Sequence, residues 1–354
     1  MRSRVVCSRA PVRIDFAGGW TDVPLFTTLV PGVVVNAAVS LYTYTTVESL
    51  KSNGVPTYGF SAKECLNTEL IRMYSVDMEQ YAEAATISDI EYDGTMDLVK
   101  AACKRSNIAG IAITTQADAP PGSGLGTSAS LGVAIVGALS MFGNRKYSAE
   151  LYARTAFELE TVELGLLSGT QDQYAAALGG FNCFRCIGEY EVTRPDNLNY
   201  IDSMLYELEK RLVLVYTGKS RLSSNIHRHV VDAFKEGRNH TALYGLVESG
   251  ELAREAFLTR SLTKLVDAIN LSWENQKLLH ESITNEQTEE LFRIAKLHGM
   301  MAGKACGAGG GGCLLFLAER GKERSLRKVM ESIPVKVLDF KFDFNGLQTW
   351  ELFE

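Results

Sequence analysis

The chain has 354 residues, enough for two domains with sizeable cores. Its 36 Lys and Arg against 42 Asp and Glu leave a net charge of −6. No basic stripe offsets that balance, which excludes a general nucleic-acid binder. The longest apolar run falls short of the about 20 residues that a bilayer crossing takes, and residues 1–9 carry charge with no apolar signal region behind them. The expectation is a cytoplasmic protein with no membrane partner. Seven cysteines, an odd number without framework spacing, read as reduced thiols. Cys183 and Cys186 form one isolated C-x-x-C in a predicted strand and lack the second pair of a structural zinc site.

In chain order, Val33–Ala38 and Leu41–Val47, rich in Val, Tyr and Thr, read as strands. Thr95 is a candidate cap for a helix through Lys104, and Ile111–Gln116 is a strand that leads into a glycine loop. An apolar helical run, Leu131–Phe142, follows the loop. Ser148 caps a helix reaching Leu164, and Gln171–Leu178 is a short helix stopped by Gly179-Gly180. The stretch Pro195-Asp-Asn-Leu-Asn breaks the pattern and puts a domain boundary near Asn197, dividing the chain into 1–197 and 198–354. Leu212–Tyr216 then reads as a buried strand, and helices occupy Ser223–Lys235 and most of Thr241–Gly299. A second glycine cluster, Lys304–Cys313, precedes a strand over Leu314–Leu317. Val335–Phe344 and Leu347–Phe353 flank Asn345-Gly346 in the manner of a type I′ hairpin. Strands and helices mix in both halves, which makes the fold class α/β (α+β). His227 and His229, two apart on a predicted helix, point to different faces and read as surface or core histidines rather than metal ligands.

The loop Pro120–Ser130 reads Pro-Pro-Gly-Ser-Gly-Leu-Gly-Thr-Ser-Ala-Ser. Glycines that open into a helix gather backbone N–H groups at the positive end of the helix dipole, which makes an anion site suited to phosphate. The hydroxyls of Thr127, Ser128 and Ser130 can bond phosphate oxygens or help to hold Mg²⁺. Neither standard nucleotide motif fits. A Walker A loop ends in Gly-Lys-Ser/Thr, but Thr127 follows Gly126, and that same Thr127 stands where a dinucleotide fingerprint needs its third glycine. In the second cluster, four consecutive glycines before a strand imply close approach to a ligand or to another backbone, because each loses entropy on folding.

Two further stretches, Arg13-Ile-Asp-Phe-Ala-Gly-Gly-Trp-Thr-Asp22 and Gly169-Thr-Gln-Asp-Gln173, complete a set of four. In this order, from Arg13 to Cys313, they resemble the motifs of the GHMP kinases, the family of galactokinase, homoserine kinase, mevalonate kinase and phosphomevalonate kinase. The resemblance implies an N-terminal domain of the ribosomal-protein-S5 type with a left-handed β-α-β crossover, a C-terminal ferredoxin-like domain, and an active site between them. It implies ATP and Mg²⁺ as cofactors. Residue by residue, the loop Pro121, Gly122, Ser123, Gly124, Leu125, Gly126, Thr127 and Ser128 matches the segment that wraps the ATP phosphates. Ser128 and Glu160 match the metal ligands, while Glu158 and Glu163 nearby read as a solvated acidic face. Asp172 matches the catalytic aspartate and Arg13 the basic residue beside it. Such a carboxylate accepts the proton of a weakly nucleophilic sugar hydroxyl, and a guanidinium keeps it ionised. Asp22 matches a carboxylate that binds sugar hydroxyls, with Gly18, Gly19, Trp20, Gln173, Gly309 and Gly310 in the same substrate set.

Galactokinase carries Gly-Glu-His-Thr-Asp where this chain has Gly18-Gly-Trp-Thr-Asp22, which disfavours galactose. Ala17-Gly-Gly-x-Thr-Asp is similar to kinases of D-glycero-D-manno-heptose 7-phosphate and to L-fucokinases, and both act on the anomeric hydroxyl. Trp20 and Gly-Leu-Gly-Thr-Ser128 look like the fucokinase version. Chain length, Tyr216–Arg221 and the region Trp273–Ser282 favour the heptose 7-phosphate, with L-fucose the alternative. Arg221 is the expected ligand of the distal phosphate. A non-catalytic sensor is a third possibility, disfavoured because Ser128, Glu160 and Asp172 are all present. The expected partner is a small sugar or sugar phosphate, and a homodimer is compatible with this picture.

Overall fold

A computed structural model describes residues 4–50, 69–188, 191–194, 196, 198, 202–218 and 223–353. Two sheets organise them. The first takes β1 (Arg4–Ala17), β2 (Gly32–Ser49), β3 (Ile71–Ser75), β4 (Gln80–Ala84), β5 (Ile111–Ala117), β6 (Phe181–Ile187) and β7 (Glu191–Thr193). The second is antiparallel: β8 (Leu212–Tyr216), β9 (Met300–Ala305), β10 (Cys313–Ala318) and β11 (Lys336–Leu338), in the order β11-β8-β10-β9. The last strand, β12 (Gln348–Phe353), returns to the first sheet and pairs with β1. That sheet therefore runs β12-β1-β2-β5-β3-β4, with β6 also on β2.

β2 merges the two predicted strands over 33–38 and 41–47. Its second half pairs with β5 and its first half with β6, so one strand serves three neighbours. The register against β1 shifts between Pro11 and Val12, opposite the Ser40-Leu41 junction. β8 explains its own unbroken apolar sequence. Leu212 and Leu214 face one core while Val213 and Val215 face another, and a strand covered on both sides needs no polar alternation.

The helices are α1 (Pro24–Thr27), α2 (Asp97–Ser106), α3 (Thr127–Phe142), α4 (Ala149–Glu158), α5 (Gln171–Leu178), α6 (Asp202–Arg211), α7 (Ser223–Lys235), α8 (His240–Thr259), α9 (Leu262–Lys277), α10 (Glu286–Leu297) and α11 (Glu323–Glu331). α3 is buried nearly all round and packs Val133, Ile135 and Leu139 into the core with Val6, Val47 and Ile113. Phe257 of α8 and Ile269 of α9 share a core with Ile14 and Phe16 of β1, Val35 of β2 and Leu214 of β8. The helix pair thus joins the two sheets, each fully buried side chain contributing about 1.5–3 kcal/mol. Among the described residues, no helix is long and apolar enough to cross a membrane.

Asn345-Gly346 does not make a hairpin, because β11 pairs with β8 while β12 pairs with β1 in the other sheet. The turn is held instead by Asp343, whose Oδ1 accepts from the N–H groups of Asn345 and Gly346, and of these two only Gly346 has positive φ. Thr95 does not cap α2. The helix starts at Asp97, whose carboxylate accepts from the N–H groups of Asp93 and Gly94. The boundary at Asn197 lies outside the described residues.

Candidate active site

The glycine loop connects β5 to α3, and its three glycines Gly122, Gly124 and Gly126 hold φ of 67°, 73° and 76°. Gly126 is the N-cap of α3 and supplies no side chain, so the first N–H groups of the helix are open to an anion. A Cβ at Gly126 would lie 2.8 Å from Oδ2 of Asp172, so the loop needs glycine there for space as well as for its backbone angle. The second cluster lies directly against the first loop. The N–H of Cys313 donates to the Ser123 carbonyl at 2.7 Å, and a Cβ on Gly312 would stand 2.7 Å from that same oxygen. Close approach to another backbone therefore accounts for this part of the glycine run. The two loops border a cavity of about 710 Å³, which Arg13, Asp22, Glu160 and Asp172 also reach.

Arg13 comes from β1 and is buried. Its Nε and Nη2 donate to Oδ1 and Oδ2 of Asp172 at 2.7 and 3.0 Å, a bidentate pair. Its Nη1 donates to the carbonyls of Gly124 at 2.7 Å and Cys306 at 2.8 Å. One guanidinium therefore ties the first turn of α5 to both glycine loops. Beside it, the buried Lys304 ammonium of β9 meets the Asp15 carboxylate of β1.

Glu160 lies in a π-helical turn, Leu159–Glu163, that ends the helix capped by Ser148. Such turns re-aim side chains and recur at functional sites. Its Oε1 accepts from Ser128 Oγ at 2.5 Å, and its Oε2 from Gln173 Nε2 at 2.6 Å and Ser168 Oγ at 3.3 Å. Burial pushes this carboxyl above its ordinary range. Among the described residues it has no cationic partner, only neutral donors. A buried hard-oxygen anion without a counter-charge suits a cation. No group of three or more His, Cys, Asp or Glu that could hold a metal exists among the described residues. The Ser128 and Glu160 oxygens fit Mg²⁺, which is commonly held by one or two carboxylates together with substrate phosphates.

Asp22 ends the first motif. Its Oδ2 accepts from the Gln171 N–H at 3.0 Å and its Oδ1 from Gln171 Nε2 at 3.3 Å. Gln171 in turn accepts from Asn36, and Asn36 from Asn182. Burial pushes Asp22 up to about 6, the Asp172 charge adding to the effect and the Gln171 N–H opposing it. Next to it Trp20 adopts φ 80°, and its buried indole N–H has no partner among the described residues. The His227 ring meets the Trp20 ring edge-on at 4.9 Å.

Of the residues named from sequence, Arg13, Gly19, Trp20, Asp22, Gly122, Ser123, Gly124, Gly126, Thr127, Ser128, Glu160, Asp172 and Gly309 border the cavity together. Others do not. Leu125 is buried in the core, and its carbonyl accepts from the Arg13 N–H. Pro121 is exposed. Gly18 packs on Val33, where a Cβ would collide with the carbonyl. Gly310 spends its N–H on Ile283. Gln173 is fully buried against Glu160 and so supports that carboxylate instead of reaching substrate. Ser130 turns away to Ala10 and Thr43. Arg221 lies outside the described residues. Sequence reasoning missed Gln171, Asn36 and Lys304, and it left His227 as a bystander although it borders the cavity. Cys183 and Cys186 are free and buried in β6, their thiols pushed up to about 12 by burial.

The GHMP kinases N terminal domain matches residues 93–180, and the GHMP kinases C terminal domain matches residues 253–333. Over 357 aligned residues the chain is 28% identical to the D-glycero-alpha-D-manno-heptose 7-phosphate kinase of Campylobacter jejuni, covering 99% of this chain and all of that one. It is 29% identical to the bifunctional fucokinase/GDP-fucose pyrophosphorylase of Arabidopsis thaliana over 91% of its own length, but spans 30% of that larger protein. Among solved structures, a D-glycero-D-manno-heptose 1-phosphate kinase from Bacteroides thetaiotaomicron superimposes with a TM-score of 0.77 at 27% identity. That match covers 99% of this chain and 100% of the other. With both domains matched and the four motifs gathered at one cavity, the chain belongs to the GHMP kinase family, enzymes that draw their phosphoryl group from ATP.

Proposed function

We propose that the protein transfers the γ-phosphoryl group of ATP to the anomeric hydroxyl of D-glycero-D-manno-heptose 7-phosphate, giving the 1,7-bisphosphate. The observation that carries this reading is the Arg13–Asp172 pair at the meeting of both glycine loops, in a chain similar end to end to a heptose 7-phosphate kinase. The contacts support the following division of labour. The loop from Gly122 to Ser128 holds the phosphates through backbone N–H groups and the α3 terminus. Ser128 and Glu160 would hold Mg²⁺, which when bound would offset the charge of the ATP phosphates. Asp172 accepts the proton of the attacking hydroxyl. Each of its oxygens keeps a second lone pair beyond the one that Arg13 occupies. Arg13 orients that carboxylate and fixes its distance from the phosphate loop. Asp22, Gly19 and Trp20 form the sugar wall. We also place the division between the halves near residue 197, with β12 crossing back.

An assay coupled to ADP formation, run with the heptose 7-phosphate, the unphosphorylated heptose, L-fucose and mevalonate, tests the substrate. Turnover of the phosphorylated heptose, with a new anomeric phosphate seen by phosphorus NMR, is expected. Efficient use of L-fucose in its place would establish the alternative. In the same assay Asp172→Asn should lose about 10²-fold or more in kcat with ATP binding intact, the range for a general base. Near-normal turnover by that variant would leave Asp172 a positioning role only.

A further inference from the structure

The lining of the cavity includes part of α7, and this part had no function in the motif set. Ile226 and Val230, one turn apart, are buried in the core against the second sheet. That fixes the rotation of the helix, and His227, Arg228 and Val231 consequently border the cavity. His227 stacks edge-on against Trp20, which places this stretch at the sugar side beside Asp22. Burial lowers the His227 imidazole below its ordinary range, against the pull of the Asp172 carboxylate.

Arg228 is exposed and has no hydrogen bond or ion pair among the described residues. The other charges at the cavity are accounted for. Arg13 is held by Asp172, Asp15 by Lys304, and Asp22 and Glu160 are carboxylates held by neutral donors. The cavity is thus rich in carboxylate, in a chain of net charge −6. A dianionic substrate entering it needs a cation that is not already paired, placed away from the nucleotide phosphates. We infer that Arg228 binds the distal phosphate of the sugar substrate and sets the preference for a phosphorylated over an unphosphorylated sugar. The assignment rests on the heptose 7-phosphate reading above. A planar guanidinium offers phosphate two parallel N–H bonds, which suits it to this role better than an ammonium. The Trp20–His227 stack supports the carbon chain of the sugar between the two ends.

The test is a steady-state comparison of the parent enzyme with Arg228→Ala and Arg228→Lys on heptose 7-phosphate, unphosphorylated heptose and ATP. The KM for the sugar phosphate should rise about tenfold or more in Arg228→Ala. The KM for ATP should stay within about twofold, and kcat/KM for the unphosphorylated sugar should not fall. Arg228→Lys should retain part of the preference. A rise confined to the ATP KM would assign the guanidinium to the nucleotide and overturn the proposal, as would an equal loss on both sugars or no change at all. If the parent enzyme prefers the phosphorylated heptose and Arg228→Ala keeps that preference, this assignment alone fails. If the parent ignores every phosphorylated heptose, the substrate reading fails first and takes the assignment with it.

Discussion

Asp22 combines a proposed binding role with a cost to stability. Burial raises it from the ordinary 3.8 to about 6, so the folded protein holds that proton more tightly than the unfolded chain does. The sign follows. Its contribution to stability is fully present below pH 3.8 and is lost as pH rises through about 6. Asp22→Asn should therefore melt above the parent at pH 8, by at most about 3 kcal/mol in stability, with the gap closing toward pH 4. Function should run the other way. In the proposed role the ionised group accepts hydrogen bonds from sugar hydroxyls, so the sugar KM of the parent should climb as pH falls through about 6, while that of Asp22→Asn should be high and flat. A parent KM independent of pH between 5 and 8 would remove Asp22 from the sugar site. Arg13 makes a different use of a single residue: three of its nitrogens serve Asp172, Gly124 and Cys306, a fork that a lysine ammonium cannot reproduce.

At the scale of elements, the turn between β5 and α3 depends on glycine at positive φ. Gly126→Val would place a side chain at φ 76° and against Asp172, so calorimetry should show ATP affinity sharply reduced and kcat should fall with it. Unchanged nucleotide affinity would put the triphosphate elsewhere. Local sequence disclosed much of this architecture. The strand Leu212–Tyr216 and the helix Gln171–Leu178 were legible to the residue, because an unbroken apolar run and a Gly-Gly stop are local signals. The Asn345-Gly346 turn misled for the same reason. Its hairpin signal is local, but β12 finds its partner at Arg4–Arg9. Glu160 could be placed by its spacing in the family motif, whereas its π-helical turn and the Gln173 contact depend on packing. His227 and His229 do face different ways, as their spacing requires. Which of them meets a cavity was decided by the burial of Ile226 and Val230 in the core against the second sheet, a tertiary contact that no local signal reveals.

Across the whole molecule, the two sheets share one core through α8 and α9, so the halves named from sequence are not independent in energy. Phe257 is fully buried and touches Phe16 and Phe181 at 5.3 and 5.4 Å between ring centroids. Phe257→Ala should cost about 3–5 kcal/mol, and calorimetry should show one endotherm moving as a unit. Two separating endotherms would mean that the halves unfold separately. The pairing of β1 with β12 has a further consequence, one that concerns the order of synthesis. The strand that carries Arg13 and Asp15 leaves the ribosome well before the partner for its outer edge, Gln348–Phe353, is made. At about 5–20 residues per second, that edge stays open for roughly twenty seconds to a minute. Through that interval Val5 and Val6 present an unpaired ladder to any neighbouring nascent chain. The strand that anchors the phosphoryl-transfer site is thus made long before its outer edge is enclosed.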